Sequence, residues 1–398
     1  MANIAFAAAG REISKTSFDQ NVSLAEILSA FSFALDLTVG AMPGHALRGC
    51  VLGMRLAQKL GTSPRQLASL YYALLMKDVG GGSKPGRDRG AQILRKLGLG
   101  EVAAEAVRGL DEHWDGSGYP EGRKGEAIPV ESRILAVAQH LDVFATEDGV
   151  EKALTKLRGL GGSWFAPELV QIADGLHREG ELWEAALYGT PESETRKAAM
   201  QLAPDLVHNL DAADIDLICE AFADVVDAKS SFTCHHSLGV AEAAMIIALE
   251  LGLSEERMQL VKRAALLHDI GKLHVPNSIL DKPSKLDAEE WRIVQEHPRL
   301  TREILSRVRA FGELAMIAGA HHEKLDGTGY PDRLTADQLP LEARILAVAD
   351  VYGALTEDRP YRAGLSLDEV VGIMCKDIPH KLDADCFEAL MSAVSFRA

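Results

Sequence analysis

The chain has 398 residues, 47% hydrophobic and 25% charged, which is enough for two domains with their own cores. A formal net charge of −16 repels polymeric nucleic acid and anionic membrane, and a small anionic ligand would need cations built into its site. Five cysteines (Cys50, Cys219, Cys234, Cys375, Cys386) without CxxC spacing, an N-terminus lacking a basic start, and no run approaching 18 uncharged apolar residues predict reduced thiols in a soluble, cytoplasmic protein.

Aromatics are only 6% and Ala and Leu are abundant, which favours helix over strand. Residues 1–20 show no clear period. From about 21 to 76 the apolar spacing predicts helices in SLAEILSAFSFAL, GHALRGCVLGMRLAQKLG and SPRQLASLYYALLMK, with Gly61 as a stop and Ser63-Pro64 as a start. A Gly- and charge-rich loop over 79–90 precedes helices near 89–98 and 101–112. The loop DGSGYPEGRKGEAIP, a long apolar helix over 130–145 and a helical stretch over 165–188 follow. TPESETRK at 190–197 is polar, carries Pro191 and reads as a linker.

The second half repeats this order. Two helices joined at Gly252 end in AALLHDIGK. LDAEEWRIVQEHP is a helix opened by Asp287; ELAMIAGAHHE and LEARILAVADVYGALTED are two more. DGSGYP at Asp115 and DGTGYP at Asp326 lie 211 positions apart, as do ESRILAVA at Glu131 and EARILAVA at Glu342. Upstream, Gly44-His45 against His235-His236 and Asp78 against Asp269 are offset by 191. A tandem repeat follows, with about 20 extra residues in the second copy between its His-Asp pair and its GYP loop.

The chemistry-bearing residues cluster in that second copy. Eight of the 13 histidines lie after residue 230. His236 precedes an apolar helix, His268-Asp269 ends another, His297 sits near a helix end, and His321-His322 closes a third. Asp350 shares the apolar face of Leu346 and Ala347, a costly place for a carboxylate that is neither paired nor metal-bound. Imidazole and carboxylate donors suit iron, manganese, zinc or nickel, and no thiolate is placed for a structural zinc site. Seven such donors are too many for one ion and fit two ions sharing a bridging carboxylate, an arrangement suited to phosphoryl chemistry.

These motifs resemble the HD-GYP family of the HD-domain metal-dependent phosphohydrolase superfamily. The resemblance runs from about Asp227 to Leu390 through HS, HDIGK, HP, HHExxDGxGYP, ARILAVAD and DRPYR. It implies an all-α fold of two tandem HD-type bundles. It implies two divalent transition-metal ions, iron first, with manganese, nickel or zinc as alternatives. His236, His268, Asp269 and Asp350 would hold one ion, and Asp269, His297, His321 and His322 the other, with Asp269 bridging. Catalytic roles fall to Asp269 and Lys272. Lys272, Arg359, Arg362 and Tyr330 would meet the substrate, where an arginine fork fits phosphate better than lysine does. The implied activity is hydrolysis of cyclic di-GMP to the linear dinucleotide or GMP by water held between the metals. Another cyclic dinucleotide or nucleotide is the alternative substrate, and a low-turnover signalling module the alternative class. A second copy of the chain or a diguanylate cyclase is the protein partner considered. Phe232 stands where trimetal members carry a Glu, Gly353 replaces the usual Asp after the helix ligand, and Gly239 replaces an Arg.

By register Lys77 stands for His268, Leu110 and Asp111 for His321 and His322, and Gln139 for Asp350. Only His45 and Asp78 survive, and the segment carrying the His297 counterpart reads as absent. Residues 1–190 are therefore expected to be a metal-free HD-GYP-like domain, 191–200 a linker and 201–398 the catalytic domain. The GYP turn reads as a structural device, with glycines for a tight turn and Pro331 fixing its exit.

Overall fold

The computed structural model describes residues 22–81, 84–183, 188–189, 191–204, 210–230, 236–357 and 363–395. Arg359, Arg362 and Phe232 lie outside the described residues. The fold is all-α, and β pairing among the described residues is confined to isolated bridges such as Gly161–Phe165 and Asp326–Thr335. No described helix is long and apolar enough to cross a membrane.

The first half contains α1 (Leu24–Thr38), α2 (His45–Leu60), α3 (Pro64–Met76), α4 (Lys84–Lys96), α5 (Glu101–Arg108), α6 (Val130–Asp148), α7 (Val150–Gly159) and α8 (Pro167–Arg178). After α9 (Glu192–Gln201) come α10 (Ala212–Asp227), α11 (His236–Glu250), α12 (Glu255–Leu267), α13 (Asn277–Leu280), α14 (Ala288–Gln295), α15 (His297–Leu305), α16 (Gly312–Gly319), α17 (Leu341–Thr356), α18 (Leu367–Met374) and α19 (Ala384–Ser395). The starts are chemically marked. Pro64 occupies the first turn of α3, and Asp287 with Glu290 closes a capping box on α14. Gly61 ends α2 in the left-handed conformation, at φ 81°.

The repeat is visible in the packing. α2 lies against α3 and α6, and α11 lies against α12 and α17 in the same way. The α4–α5 pair corresponds to α15–α16. Leu52, Leu74, Val137 and Leu141 fill the first bundle, while Val240, Ile247, Leu267 and Leu346 fill the second. Each fully buried aliphatic side chain of this size contributes roughly 1.5–3 kcal/mol.

The two bundles share a continuous core. α1 packs on α3 and also on α15 and the 3-10 turn Ile270–His274 of the second half. The Phe31 and Phe222 ring centroids are 4.1 Å apart. The Arg307 guanidinium lies 3.7 Å from the Phe33 centroid and its Nη1 is 2.5 Å from Glu192 Oε2.

Three elements differ from the sequence expectation. The stretch read as a linker forms α9, because Pro191 caps the helix rather than breaking it and Thr195 and Ala199 are buried where α9 packs on α2 and α1. The helix α7 was not expected at all. Helix α4 begins at Lys84, inside the expected loop, so the segment carrying the His297 counterpart is present. By the 211 offset that counterpart is Gly86. A Cβ on Gly80 would meet the Gly86 carbonyl oxygen at 1.9 Å, as one on Gly271 would meet that of His297 at 2.0 Å. The extra residues of the second copy are therefore α13 and α14. Gly271 is thus a glycine of close approach, its φ outside the left-handed region.

Candidate metal centre

Each of the seven expected donors is delivered by a helix end or an apolar helix face. His236 is the first residue of α11, and Asp227 at the end of α10 pins that start by accepting from the Ser237 amide (3.1 Å) and hydroxyl (2.6 Å). His268 and Asp269 follow the last turn of α12, His297 opens α15, His321-His322 follow α16, and Asp350 projects from α17. The close passage of Gly271 under the His297 carbonyl, with Thr301 Oγ1 donating to the His268 carbonyl (2.8 Å), brings α12 and α15 together at the site.

The imidazoles share one orientation rule. His268 Nδ1 donates to the Ala265 carbonyl (2.6 Å), His297 Nδ1 to Val294 (2.6 Å) and His321 Nδ1 to Ala318 (2.7 Å). Each carbonyl stands three residues back. Since a carbonyl only accepts, Nδ1 carries the proton and Nε2 presents a lone pair to the interior. His236 Nδ1 donates instead to Glu357 Oε2, at 2.8 Å.

Asp269 sits between two groups of donors. Its Oδ2 is 3.3 Å from His268 Nε2 and 3.9 Å from His236 Nε2. Its Oδ1 is 3.3 Å from His297 Nε2 and 3.8 Å from His321 Nε2. Asp350 Oδ1 is 3.3 Å from His236 Nε2 and 3.8 Å from His268 Nε2, and its Oδ2 is 3.7 Å from His322 Nδ1. The donor atoms of His236, His268 and Asp350 lie within 4.8 Å of one another, and so do those of His297, His321 and His322.

The chemistry of this set fits resident cations. His268 Nε2 and Asp269 Oδ1 are buried without a hydrogen-bond partner, although buried polar atoms are nearly always satisfied. Burial would push the Asp269 and Asp350 carboxyls up, but the surrounding imidazoles, and Lys272 beside Asp269, hold both well below the usual range. Burial keeps His297 and His321 neutral, and lowers His322 to about 3. Burial also opposes the charge on His236, but hydrogen bonds to Asp350 and Glu357 raise it to about 9. Burial opposes the charge on His268 too, but Asp269 and Asp350 raise it. Ionised carboxylates beside imidazoles suit a divalent transition metal, which on His236 and His268 would take the place of a proton.

The expected substrate residues are placed less uniformly. Lys272 Nζ lies 2.5 Å from Asp269 Oδ2. Tyr330 is half-buried, its ring 4.9 Å from His322 and 6.3 Å from Trp291. A groove beside it is lined by Arg292, Gln295, Arg333 and the turn Gly327–Pro331.

Sequence reasoning gave Glu323 and Glu357 no role. Buried Glu323 accepts from the amides of Asp332 (2.7 Å) and Leu334 (2.9 Å), clamping the GYP turn. Glu112 does the same for Glu121 (2.7 Å) and Arg123 (2.9 Å). The shared HHE/LDE glutamate at the 211 offset was the available signal. Gly329 is required because a Cβ there would lie 2.4 Å from the Lys324 nitrogen.

In the first half, cationic side chains lie against the carboxylates at the corresponding positions. Lys77, wholly buried at the His268 position, pairs with Asp78. Arg87 lies 3.7 Å from Asp78 Oδ1 and donates through Nε to Asp111 at 2.9 Å. His45 Nδ1 donates to Asp142 Oδ2 at 2.7 Å, and Arg48 Nε to Asp142 Oδ1 at 2.6 Å. His113 is half-buried and stacks on Trp164, with ring centroids 4.6 Å apart.

A family model described as "HD domain" matches residues 87–169 and 220–386, one segment in each half. The chain is 37% identical to "3'3'-cGAMP-specific phosphodiesterase 3" of Vibrio cholerae, over 94% of this chain and 95% of that one. It is 42% identical to "Cyclic di-GMP phosphodiesterase response regulator RpfG" of Xanthomonas campestris over 38% of this chain and 41% of that one. A solved cyclic GMP-AMP-specific phosphodiesterase of Vibrio cholerae superposes with a TM-score of 0.71 at 36% identity, covering 94% of this chain and 98% of that one. The chain thus belongs to the HD-GYP family of HD-domain metal-dependent phosphohydrolases, as a tandem protein whose N-terminal copy is degenerate.

Proposed function

We propose that the protein is a metal-dependent phosphodiesterase of 3'3'-cyclic dinucleotides. The observation that carries this reading is the convergence of four imidazole nitrogens on the two oxygens of Asp269, with Asp350 joining His236, His268 and His322 beside them. His236, His268, Asp269 and Asp350 would hold one divalent ion and Asp269, His297, His321 and His322 a second, with iron first and manganese, nickel or zinc as alternatives. Two such ions supply Lewis acidity and an activated water for attack on phosphorus.

The chain's own residues do the rest. Asp269 and Asp350 stay ionised and balance the ions' charge. Lys272 turns from Asp269 to a phosphate oxygen once cations occupy the centre, and neutralises charge developing there. Arg359 and Arg362 would take the second phosphate. Tyr330, beside His322, offers a ring against which a base can stack. Water adds across one phosphodiester P–O3' bond, leaving a linear dinucleotide with a 5'-phosphate; a second addition gives mononucleotides. The division into a metal-free domain over 1–190 and a catalytic domain over 201–398 belongs to the same proposal.

For the substrate, 3'3'-cGAMP is favoured because the relative of that specificity matches over both halves, whereas the RpfG match covers 38% of this chain. Cyclic di-GMP, the expectation from the sequence, is the substrate to run beside it. The test is anaerobic purification, loading with Fe²⁺ or Mn²⁺, and mass spectrometry of both digests, with Asp269→Asn as control. Wild type should hydrolyse 3'3'-cGAMP faster, and the variant should lose at least about a thousandfold, the scale seen when a group acting on the transition state is removed. No turnover of either dinucleotide by loaded wild type overturns the reading.

A further inference from the structure

His236 differs from His268, His297 and His321 in one respect. Those three end or follow a helical turn and give their Nδ1 protons to a carbonyl three residues back. The acceptor of His236 Nδ1 lies on a different helix, distant in the chain: it is Glu357 Oε2 at 2.8 Å, at the end of α17.

The first half poses the same problem and answers it differently. His45 is the first residue of α2, and its Nδ1 donates to Asp142 Oδ2 from α6 at 2.7 Å. Arg48 fixes that carboxylate from the other side, through Nε at 2.6 Å and Nη2 at 3.2 Å. In the second half Arg48 corresponds to Gly239 and Asp142 to Gly353, while Glu357 corresponds to Thr146. Three positions have changed together. The acceptor has moved one helical turn along, onto a side chain one methylene longer. Both glycines border it: a Cβ on Gly239 would lie 3.4 Å from Glu357 Oε1, and one on Gly353 3.7 Å. A Cβ on Gly353 would also lie 3.6 Å from His236 Cε1.

We infer that Glu357 is the positioning residue for the His236 ligand, its carboxylate lying beside Gly239 and Gly353 where the first half carries Arg48 and Asp142. Glu357 holds the proton on Nδ1 and the lone pair on Nε2, and fixes the ring plane toward Asp350 and Asp269. This replaces the Asp142–Arg48 device of the first half. A ligating imidazole whose other nitrogen donates to a carboxylate is more basic and better oriented, and loss of such a partner lowers metal affinity about 10- to 100-fold.

The inference rests on the metal-centre reading above, and the experiment separates the two. Mn²⁺ binding to the metal-free full chain is measured by calorimetry and chelator competition, together with circular dichroism and ¹⁵N shifts of the histidine ring nitrogens. Wild type should bind two ions. Glu357→Ala should keep its helical spectrum, weaken one of the two sites about 10- to 100-fold, and, in the chain loaded with diamagnetic Zn²⁺, lose the single Nδ1-protonated form of His236. Glu357→Gln, whose amide oxygen still accepts, should fall between. The transplant Gly239→Arg, Gly353→Asp, Glu357→Thr should recover affinity that Glu357→Ala lost, whereas Gly353→Asp with Glu357 retained should not match wild type. Absence of binding by wild type overturns the metal-centre reading. Wild-type binding with unchanged affinity and tautomer in Glu357→Ala, or a transplant no tighter than Glu357→Ala, overturns the role of Glu357 alone.

Discussion

His297 and His321 face each other Nε2 to Nε2 at 3.1 Å. Both rings give their Nδ1 protons to main-chain carbonyls, so two lone pairs meet at hydrogen-bond distance with no proton between them. Without a cation this contact is repulsive, and with one it is a pair of ligands. The folded chain therefore gains stability when a metal enters. An apparent gain of about 2.7 kcal/mol per ion is expected at a free metal concentration a hundred times Kd. Thermal melts with Mn²⁺ and with excess chelator check this; coincident melting curves would count against a built metal centre.

In the first half the corresponding charge is covalently attached. Burial pushes Asp78 up, but the Lys77 ammonium beside it, with His45, holds it below the usual range. Lys77→Met leaves that carboxylate buried with Arg87 as its nearest remaining cation, 3.7 Å away. The expected loss is roughly 3 kcal/mol in a urea titration of the full chain, the scale of breaking a buried pair from one side. A loss within the scatter of surface substitutions would show that Lys77 does not do the work of the missing metal. Added Mn²⁺ should not restore the variant, because Leu110, Gln139 and Gly86 offer no ligands of the kind found in the second half.

Asp36 gives the stability a defined pH slope. It accepts from the Gly44 (2.9 Å) and Ala46 (3.0 Å) amides and so anchors the start of α2, but burial outweighs these bonds and raises its pKa to about 6. Its folded pKa lies above the unfolded value, so the folded state binds the extra proton. The contribution of Asp36 therefore falls as pH rises from 3.8 to 6 and is flat above. Relative to Asp36→Asn, wild type should gain about 1 kcal/mol between pH 8 and pH 5, a single-site titration at 1.36 kcal/mol per unit. The bond lost in the variant shifts both pH values equally, so the slope alone is diagnostic. Paired urea titrations at the two pH values measure it, and a flat or reversed difference would contradict a protonated Asp36.

The sequence by itself determined the tandem architecture and the all-α class, and it named the candidate donors. Those rest on local information: helical apolar spacing, caps at Asp287 and Ser63-Pro64, and two long motifs repeated at one offset. His321-His322 against Leu110-Asp111 already separated the centre from the GYP turn, since each change is a difference of residue type in a fixed register. The family resemblance already implied how the donors divide around Asp269; tertiary structure supplied the distances. Those depend on α11, α12, α15, α16 and α17 meeting, and on Gly271 letting one backbone pass within a carbonyl's reach of another. Tertiary packing also made a helix of 192–201, whose polar composition says linker but whose buried Thr195 and Ala199 face α1 and α2. It found Gly86 opposite His297, because alignment through a segment with an insertion needs a spatial landmark. It assigned Glu357 as well: no local pattern links a glutamate to a histidine 121 residues earlier, and the link exists because the end of α17 packs beside His236 at the start of the described part of α11.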